Sequence, residues 1–152
     1  MTHLKVNDKA PAFEAIDQHG NAIKLSDYEG KKLVLYFYPA DNTPTCTTEA
    51  CNFRDNFSNL TKQGYEVVGV SPDSERKHQN FIKKFELPFT LISDTDLKVA
   101  NAFGVYGPKK FMGKISDSIH RETFVINEEG LIEKIIEKVV SKKATAQVLA
   151  EE

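Results

Sequence analysis

Residues 33–46 read LVLYFYPADNTPTC, and this stretch determines the fold prediction. The apolar run LVLYFY is followed at once by Pro39, a residue that cannot continue a central strand. A continuous apolar run of this length is typical of a strand that is covered on both faces of a sheet. Thr43 and Pro44 then match the N-cap and first-turn preferences of an α-helix. The stretch therefore predicts a buried strand, a short loop and a helix.

Cys46 falls at the third position of that predicted helix. A helix N-terminus carries partial positive charge and unpaired amide groups, which favour the thiolate form of a cysteine. In α/β sheets, chemistry is also concentrated where the carboxyl end of a strand meets the next helix. Two interpretations of Cys46 follow: a reactive thiolate, or a small buried residue that only contributes to packing.

Cys51, the other cysteine of the chain, lies five residues later on the same predicted helix. Five helical residues advance by about 7.5 Å and turn by about 140°, which puts the two Cα atoms roughly 8.6 Å apart. A disulfide needs a Cα separation below about 7 Å. A redox pair would therefore require the first helical turns to unwind. The spacing differs from that of CxxC oxidoreductases and metal knuckles, so we expect no metal and no cofactor.

Short apolar runs alternate with helical patterns along the rest of the chain. Strands are predicted at residues 33–38, 65–70, 89–93 and 122–127. Helices are predicted at residues 43–62, 74–85 and 94–103, with a last one from Ser141. Hairpins are predicted at residues 13–25 and 122–139. This order indicates an α/β fold in which an N-terminal β-hairpin precedes a central mixed β-sheet flanked by helices.

The composition is that of an ordinary folded domain. The chain has 152 residues, of which 40% are hydrophobic and 28% charged, and its net charge is −2. A chain of this length buries about 70% of its unfolded surface, so a stable core needs no disulfide. This balanced charge does not indicate binding to nucleic acid or to anionic membranes. No signal peptide or membrane span is expected from the sequence. We expect a single domain over residues 1–152, located in the cytoplasm.

Arginine is rare in this chain, which has seventeen lysines and three arginines. A reactive thiolate needs a cation nearby. Arg54 lies roughly 12 Å beyond Cys46 along the helix and is expected to pair with Asp55 at the surface. Arg76 lies on a charged helix face. Arg121 enters an apolar strand, an unusual place for a charge, and is therefore the best candidate for the cation.

The central segment resembles the peroxiredoxin family, whose signature Pro-x-x-x-Thr-x-x-Cys is matched by Pro39, Thr43 and Cys46. A second cysteine five residues later is similar to the bacterioferritin comigratory protein and peroxiredoxin Q group. The similarity covers nearly the whole chain, through KAPAF, LSDYEGKKLVLYFYP, TPTCTTEACNFRD, VVGVSPD, FTLISD, FGVYG, KKFMGK and HRETFVIN. Thr45 departs from the group, which usually has glycine there, and we expect a small change in reactivity.

The resemblance implies a thioredoxin-like fold and an antioxidant thiol peroxidase acting on hydrogen peroxide and organic hydroperoxides. Cys46 would be the peroxidatic cysteine, which forms a sulfenic acid, and Cys51 the resolving cysteine, which closes an intramolecular disulfide. Thioredoxin or a similar dithiol protein would reduce that disulfide. Arg121 would stabilise the thiolate and polarise the peroxide, Thr43 would orient the substrate, and Pro39 would exclude water. The group is often monomeric, so we expect a monomer.

Two other functions have to be weighed against a peroxidase. A disulfide reductase is disfavoured by the CxxxxC spacing, whereas a non-enzymatic redox sensor or binding module would use the same cysteine pair. Two neighbouring residues are assigned no catalytic part. Glu49 shares a helix face with Cys46, but a carboxylate there would oppose thiolate formation. Tyr38 is expected to form part of the wall of the site.

Overall fold

The computed structural model of the protein describes residues 1–151. Its elements in chain order are β1 (Glu14–Ile16), β2 (Ala22–Lys24), β3 (Lys32–Phe37), α1 (Pro44–Asp55), α2 (Phe57–Lys62), β4 (Tyr65–Ser71), α3 (Glu75–Phe85), β5 (Thr90–Ser93), α4 (Lys98–Ala102), β6 (Tyr106–Phe111), β7 (Lys114–Ile119), β8 (Glu122–Ile126), β9 (Ile132–Ile136) and α5 (Ala144–Leu149). Short 3₁₀ turns cover Leu25–Tyr28 and Ser141–Lys143. Within residues 1–151, no helix is both long enough and apolar enough to cross a membrane.

The central sheet has five strands in the order β5-β4-β3-β8-β9, which confirms the predicted mixed sheet. The strand β3 runs parallel to β4 and antiparallel to β8, and Phe37 at its end lies opposite both Val70 and Glu122. The carboxyl ends of β3, β4 and β5 therefore meet the amino end of β8 at one end of the sheet. The loops and helix starts at this end are the ones that position Cys46.

Successive side chains of β3 point to opposite faces of the sheet and pack into two separate apolar clusters, because side chains alternate along a strand. Leu33, Leu35 and Phe37 pack on one face, against α4 and the hairpin formed by β1 and β2. Val34 and Tyr36 pack on the other face, which is covered by α1, α2, α3 and α5 and also contains Cys46. Helices therefore flank both faces of the sheet, as predicted.

The prediction of one continuous helix over residues 43–62 is wrong, because the helix is interrupted at Asn56. The side-chain amide of Asn56 donates to the carbonyl oxygen of Asn52 at 2.8 Å. The backbone N–H of Asn56 donates to the same carbonyl oxygen at 3.2 Å, but its backbone angles, φ −110° and ψ 9°, depart from those of an α-helix. The predicted apolar stripe is nevertheless kept, since Phe53 and Leu60 are fully buried.

The hairpin formed by β6 and β7 was not predicted from apolar runs. Its register pairs Phe111 with Lys114 and leaves a two-residue turn at Met112 and Gly113, both of which have positive φ. Left-handed residues at both turn positions are typical of tight hairpins. Most side chains of the two strands are exposed, so the alternating or continuous apolar pattern that marks a strand is missing.

Candidate active site

Cys46 lies in the first turn of α1, at the predicted third helical position. Thr43 precedes the helix and Pro44 is its first residue. The hydroxyl of Thr43 turns back into the preceding loop and donates to the carbonyl oxygen of Ala40 at 3.1 Å, instead of capping the helix. Cys46 itself is only 1% exposed. The sulfur therefore experiences the positive end of the helix in a nearly dry environment.

Arg121 contacts Cys46 across 75 positions of sequence. It directly precedes β8, and the antiparallel pairing of β8 with β3 brings the start of one strand beside the end of the other. The Nη2 group of Arg121 donates to the Sγ atom of Cys46 at 3.1 Å. The structure therefore places this arginine where the sequence required a cation for a thiolate.

Glu49 accepts a hydrogen bond from the other terminal nitrogen of the same guanidinium group. The Nη1 group of Arg121 donates to Glu49 Oε1 at 2.8 Å, and Glu49 is fully buried one turn after Cys46. Burial lowers the pKa of Arg121, but the charges of Glu49 and Cys46 and its hydrogen bonds to them outweigh that effect and raise it above its ordinary value. The arginine thus remains charged while it bridges a sulfur and a carboxyl group.

Burial raises the pKa of Glu49 to about 7, although the charge of Arg121 and the hydrogen bond from it act in the opposite direction. Its second oxygen, Oε2, is buried and has no hydrogen-bond partner among residues 1–151, and the same holds for the hydroxyl of Tyr36. The carboxyl group therefore has one oxygen held by Arg121 and one free to carry a proton. Sequence reasoning assigned Glu49 no direct role, whereas the structure places it in the site, in contact with Arg121.

The raised pKa of Glu49 predicts a specific pH dependence of stability. Between pH 4.5 and about 7 the folded protein retains a proton that the unfolded chain has released. The free energy of unfolding must then fall as the pH rises through this window. Relative to Glu49→Gln, we expect the wild type to lose roughly 2–3 kcal/mol between pH 5 and pH 8. Urea unfolding of both reduced proteins across this range measures the difference.

Titrating groups distant from Glu49 contribute equally to both proteins, because the two sequences differ only at this position. The variant Glu129→Gln, at an exposed position, controls for the loss of one charge. Parallel stability profiles for the wild type and Glu49→Gln would contradict the assignment of a proton to this buried carboxyl group.

The remaining sequence-predicted residues surround the first turn of α1. Pro39 and Thr43 are half-buried at the two ends of the loop between β3 and α1. Tyr38 is buried, stacks on Tyr36 with ring centroids 5.3 Å apart, and belongs to the same apolar cluster as Cys46. Cys51 is half-buried on α1, and both cysteines are free thiols. Away from the site, Arg54 pairs with the neighbouring Asp55 at 2.9 Å, as expected.

A polar cluster beside the loop escaped sequence reasoning altogether. Asp41, Asp73 and His78 bring their side-chain ligand atoms within 4.8 Å of one another, as a cation site would. All three side chains are, however, already engaged in hydrogen bonds within the protein. One signal was present in the sequence: His78 lies three residues before the buried Phe81, on the inward face of α3.

Comparisons with known proteins identify the family of this chain. The pattern described as the AhpC/TSA family matches residues 6–135. The putative peroxiredoxin bcp of Haemophilus influenzae is 50% identical over 138 residues, covering 91% of this chain and 89% of that protein. Peroxiredoxin Bcp of Bacillus subtilis is 47% identical over 146 residues, covering 96% and 93%.

Solved structures that resemble this protein are also peroxiredoxins. Peroxiredoxin Q of Xanthomonas campestris is 34% identical and superposes with a TM-score of 0.87, covering 97% of this chain and 94% of that chain. A cysteine-to-serine mutant of PrxQ from Xylella fastidiosa is 31% identical, with a TM-score of 0.90 and coverage of 98% and 95%. The chain therefore belongs to the AhpC/TSA family and is a peroxiredoxin of the Bcp and peroxiredoxin Q group.

Proposed function

We propose that this protein is a thiol peroxidase that reduces hydrogen peroxide and organic hydroperoxides at Cys46. The thiolate sulfur attacks one peroxide oxygen, so that an S–O bond forms while the O–O bond breaks. The departing oxygen takes up a proton and leaves as water or an alcohol, and Cys46 becomes a sulfenic acid. The observation that carries the proposal is the 3.1 Å contact between Arg121 Nη2 and Cys46 Sγ at the start of a helix.

The residues around the sulfur have separate parts in this step. Arg121 stabilises the thiolate and presents charge to the oxygen that leaves, where negative charge develops. The Thr43 hydroxyl, held by its bond to Ala40, offers an oxygen to orient the peroxide. Pro39 is half-buried beside the loop and limits access of water to the sulfur.

Cys51 is proposed as the resolving cysteine. Its thiolate attacks the sulfur of the Cys46 sulfenic acid, an S–S bond forms, and the hydroxyl group leaves as water. Both residues lie within the intact helix α1, where five residues separate the Cα atoms by roughly 8.6 Å. A disulfide requires less than about 7 Å, so the first turns of α1 unwind before the bond closes.

Thioredoxin or a similar dithiol protein is the proposed reductant, acting by thiol–disulfide exchange on the oxidised pair. We further propose that the chain acts as one domain over residues 1–152 and as a monomer in the cytoplasm, in antioxidant defence and redox homeostasis. An intramolecular disulfide supports the monomer, because no cysteine of a second subunit is then needed. The balanced charge of −2 supports a role without nucleic-acid or membrane partners.

A coupled assay tests the proposed function directly. Peroxide is added to the protein with thioredoxin, thioredoxin reductase and NADPH, and NADPH oxidation is followed over many turnovers. We expect continuous consumption of hydrogen peroxide and of an alkyl hydroperoxide. Oxidation of one equivalent of protein without turnover would contradict a peroxidase and favour a redox sensor.

The resolving role of Cys51 predicts a defined oxidised product. One equivalent of peroxide should lower the intact mass by two hydrogens without producing a covalent dimer. In Cys51→Ser the intramolecular bond cannot form, so Cys46 should accumulate as sulfenic acid and thioredoxin-coupled turnover should fall at least about tenfold. Intact-mass spectrometry and the coupled assay measure both effects. Unchanged turnover of Cys51→Ser would show that another thiol resolves the sulfenic acid.

A further inference from the structure

The loop between β3 and α1 is tied to the rest of the protein through Asp41. The Oδ1 atom of Asp41 accepts a hydrogen bond from the Tyr38 hydroxyl at 2.6 Å, and its Oδ2 atom lies 2.6 Å from His78 Nδ1. Its backbone N–H donates to Asp73 Oδ2 at 2.7 Å. Only 4% of the Asp41 side chain is exposed. A single residue therefore fixes the middle of this loop through three bonds.

His78 is oriented from the opposite side of its ring. It lies on α3 and is fully buried, and its Nε2 atom is 2.9 Å from the carbonyl oxygen of Ile92. A carbonyl oxygen only accepts, so Nε2 carries a hydrogen and the ring is held with Nδ1 towards Asp41. The short distance between Nδ1 and Asp41 Oδ2 means that one further hydrogen joins these two atoms. The Asp41–His78 pair is thus joined by a buried hydrogen bond.

The support behind this pair comes from the neighbouring strands. Asp73 Oδ2 also accepts from the Ser71 hydroxyl at 2.8 Å, and Ser71 ends β4. The Ser93 hydroxyl, at the end of β5, donates to the carbonyl oxygen of Asp73. The loop is consequently fixed to the ends of β4 and β5, at the same end of the sheet as Cys46.

The core does not require this buried polar pair, since an apolar pair of similar volume would fill the space without the cost of removing polar groups from water. The contacts of this pair converge on the segment that contains Pro39 and Thr43. Asp41 occupies a variable position of the signature, between Pro39 and Thr43, and His78 lies outside the signature.

We propose that Asp41 and His78 act together as positioning residues, which hold Pro39 and Thr43 against Cys46 for the reaction with peroxide. This inference rests on the proposed peroxidase function. Neither residue touches the substrate in this role. Because Asp41 precedes Thr43, the loop stays fixed while the first turns of α1 unwind, so that only the helix moves when the disulfide closes.

The test separates peroxide attack from general thiol reactivity, in a Cys51→Ser background that leaves Cys46 as the one thiol. Quenched-flow mass spectrometry measures the rate of Cys46 oxidation by hydrogen peroxide. Asp41→Ala should slow this rate about tenfold to a hundredfold, because small misplacements of a catalytic loop have effects of this size. Alkylation of Cys46 by iodoacetamide needs a thiolate but no bound peroxide, and it should change less than about threefold.

A conservative variant provides the rescue. In Asp41→Asn the amide oxygen still accepts from Tyr38 and the amide nitrogen donates to Nδ1 of a neutral His78, so most of the rate lost in Asp41→Ala should return. His78→Gln keeps the volume but not both contacts, and it should be as slow as Asp41→Ala. It also takes the place of Asp41→Ala if that variant does not fold.

Val99→Ala, on the opposite face of the sheet, controls for lost stability and should leave the peroxide rate unchanged. The proposal is overturned if folded Asp41→Ala or His78→Gln reacts with peroxide as fast as its parent. It is also overturned if peroxide oxidation and alkylation slow by the same factor. Failure of the parent itself to react with peroxide would instead refute the proposed function, so the two failures are distinguishable.

Discussion

Replacing Cys46 with serine is expected to lower peroxide consumption by at least about a thousandfold, because a serine hydroxyl has no accessible anion near neutral pH. Cys46 is 1% exposed and packed in the first turn of α1, and serine differs from cysteine by one atom. The fold should therefore survive the change. The coupled assay with thioredoxin and NADPH measures the loss, and circular dichroism confirms that the variant is folded.

Cys51→Ser is the informative comparison for this prediction. It removes the other thiol of the chain but leaves the attacking sulfur in contact with Arg121. A single oxidation by peroxide should persist in Cys51→Ser and be absent in Cys46→Ser. If Cys46→Ser consumed peroxide at the wild-type rate, Cys46 would not be the peroxidatic residue.

Removal of the guanidinium group in Arg121→Met should slow the oxidation of Cys46 by about a hundredfold to a thousandfold, the range found for single groups that stabilise developing charge. Two effects combine in this variant. The sulfur loses the donor at 3.1 Å, and Glu49 loses the cation that offsets its burial. Because hydroxide can still generate the thiolate, part of the loss should be recovered as the pH rises. Single-turnover oxidation across pH 6 to 9 is the measurement.

Arg121→Lys tests whether the forked geometry matters in addition to the charge. An ammonium group is a point charge and cannot donate to Cys46 and Glu49 in the fixed geometry of a guanidinium. We expect a loss intermediate between wild type and Arg121→Met, on the order of tenfold. Arg76→Met removes an exposed arginine of α3 and serves as the matched control. Equal rates for wild type and Arg121→Met would assign the role of the cation to another group.

Much of this site was predictable, because its signals are local. The proline that ends β3, the Thr-Pro helix start and the position of Cys46 follow from preferences that act over a few residues. The sequence also indicated Arg121 as the cation near Cys46, because a charged residue at the start of an apolar strand is unusual. The order of strands and helices then led to the mixed sheet without knowledge of any long-range contact.

The parts that escaped prediction depend on tertiary contacts. The hydrogen bond between Arg121 and Glu49 joins residues that are distant in sequence. The spacing of residues along α1 places Glu49 near Cys46 but does not identify Arg121 as its partner. The Asp41–His78 contact joins residues 37 positions apart through the packing of α3 against the sheet. The interruption at Asn56 is a change in the backbone angles of one residue, which the apolar stripe over residues 43–62 does not reveal.

The antiparallel pairing of β3 with β8 has a consequence for biosynthesis. The strand that carries the cysteine loop is made early, but the arginine that contacts the sulfur follows 75 residues later. A nascent chain therefore lacks the Arg121–Cys46 contact until β8 has been made and has paired with β3. The cysteine and its cation thus come from distant segments that only the completed sheet brings together.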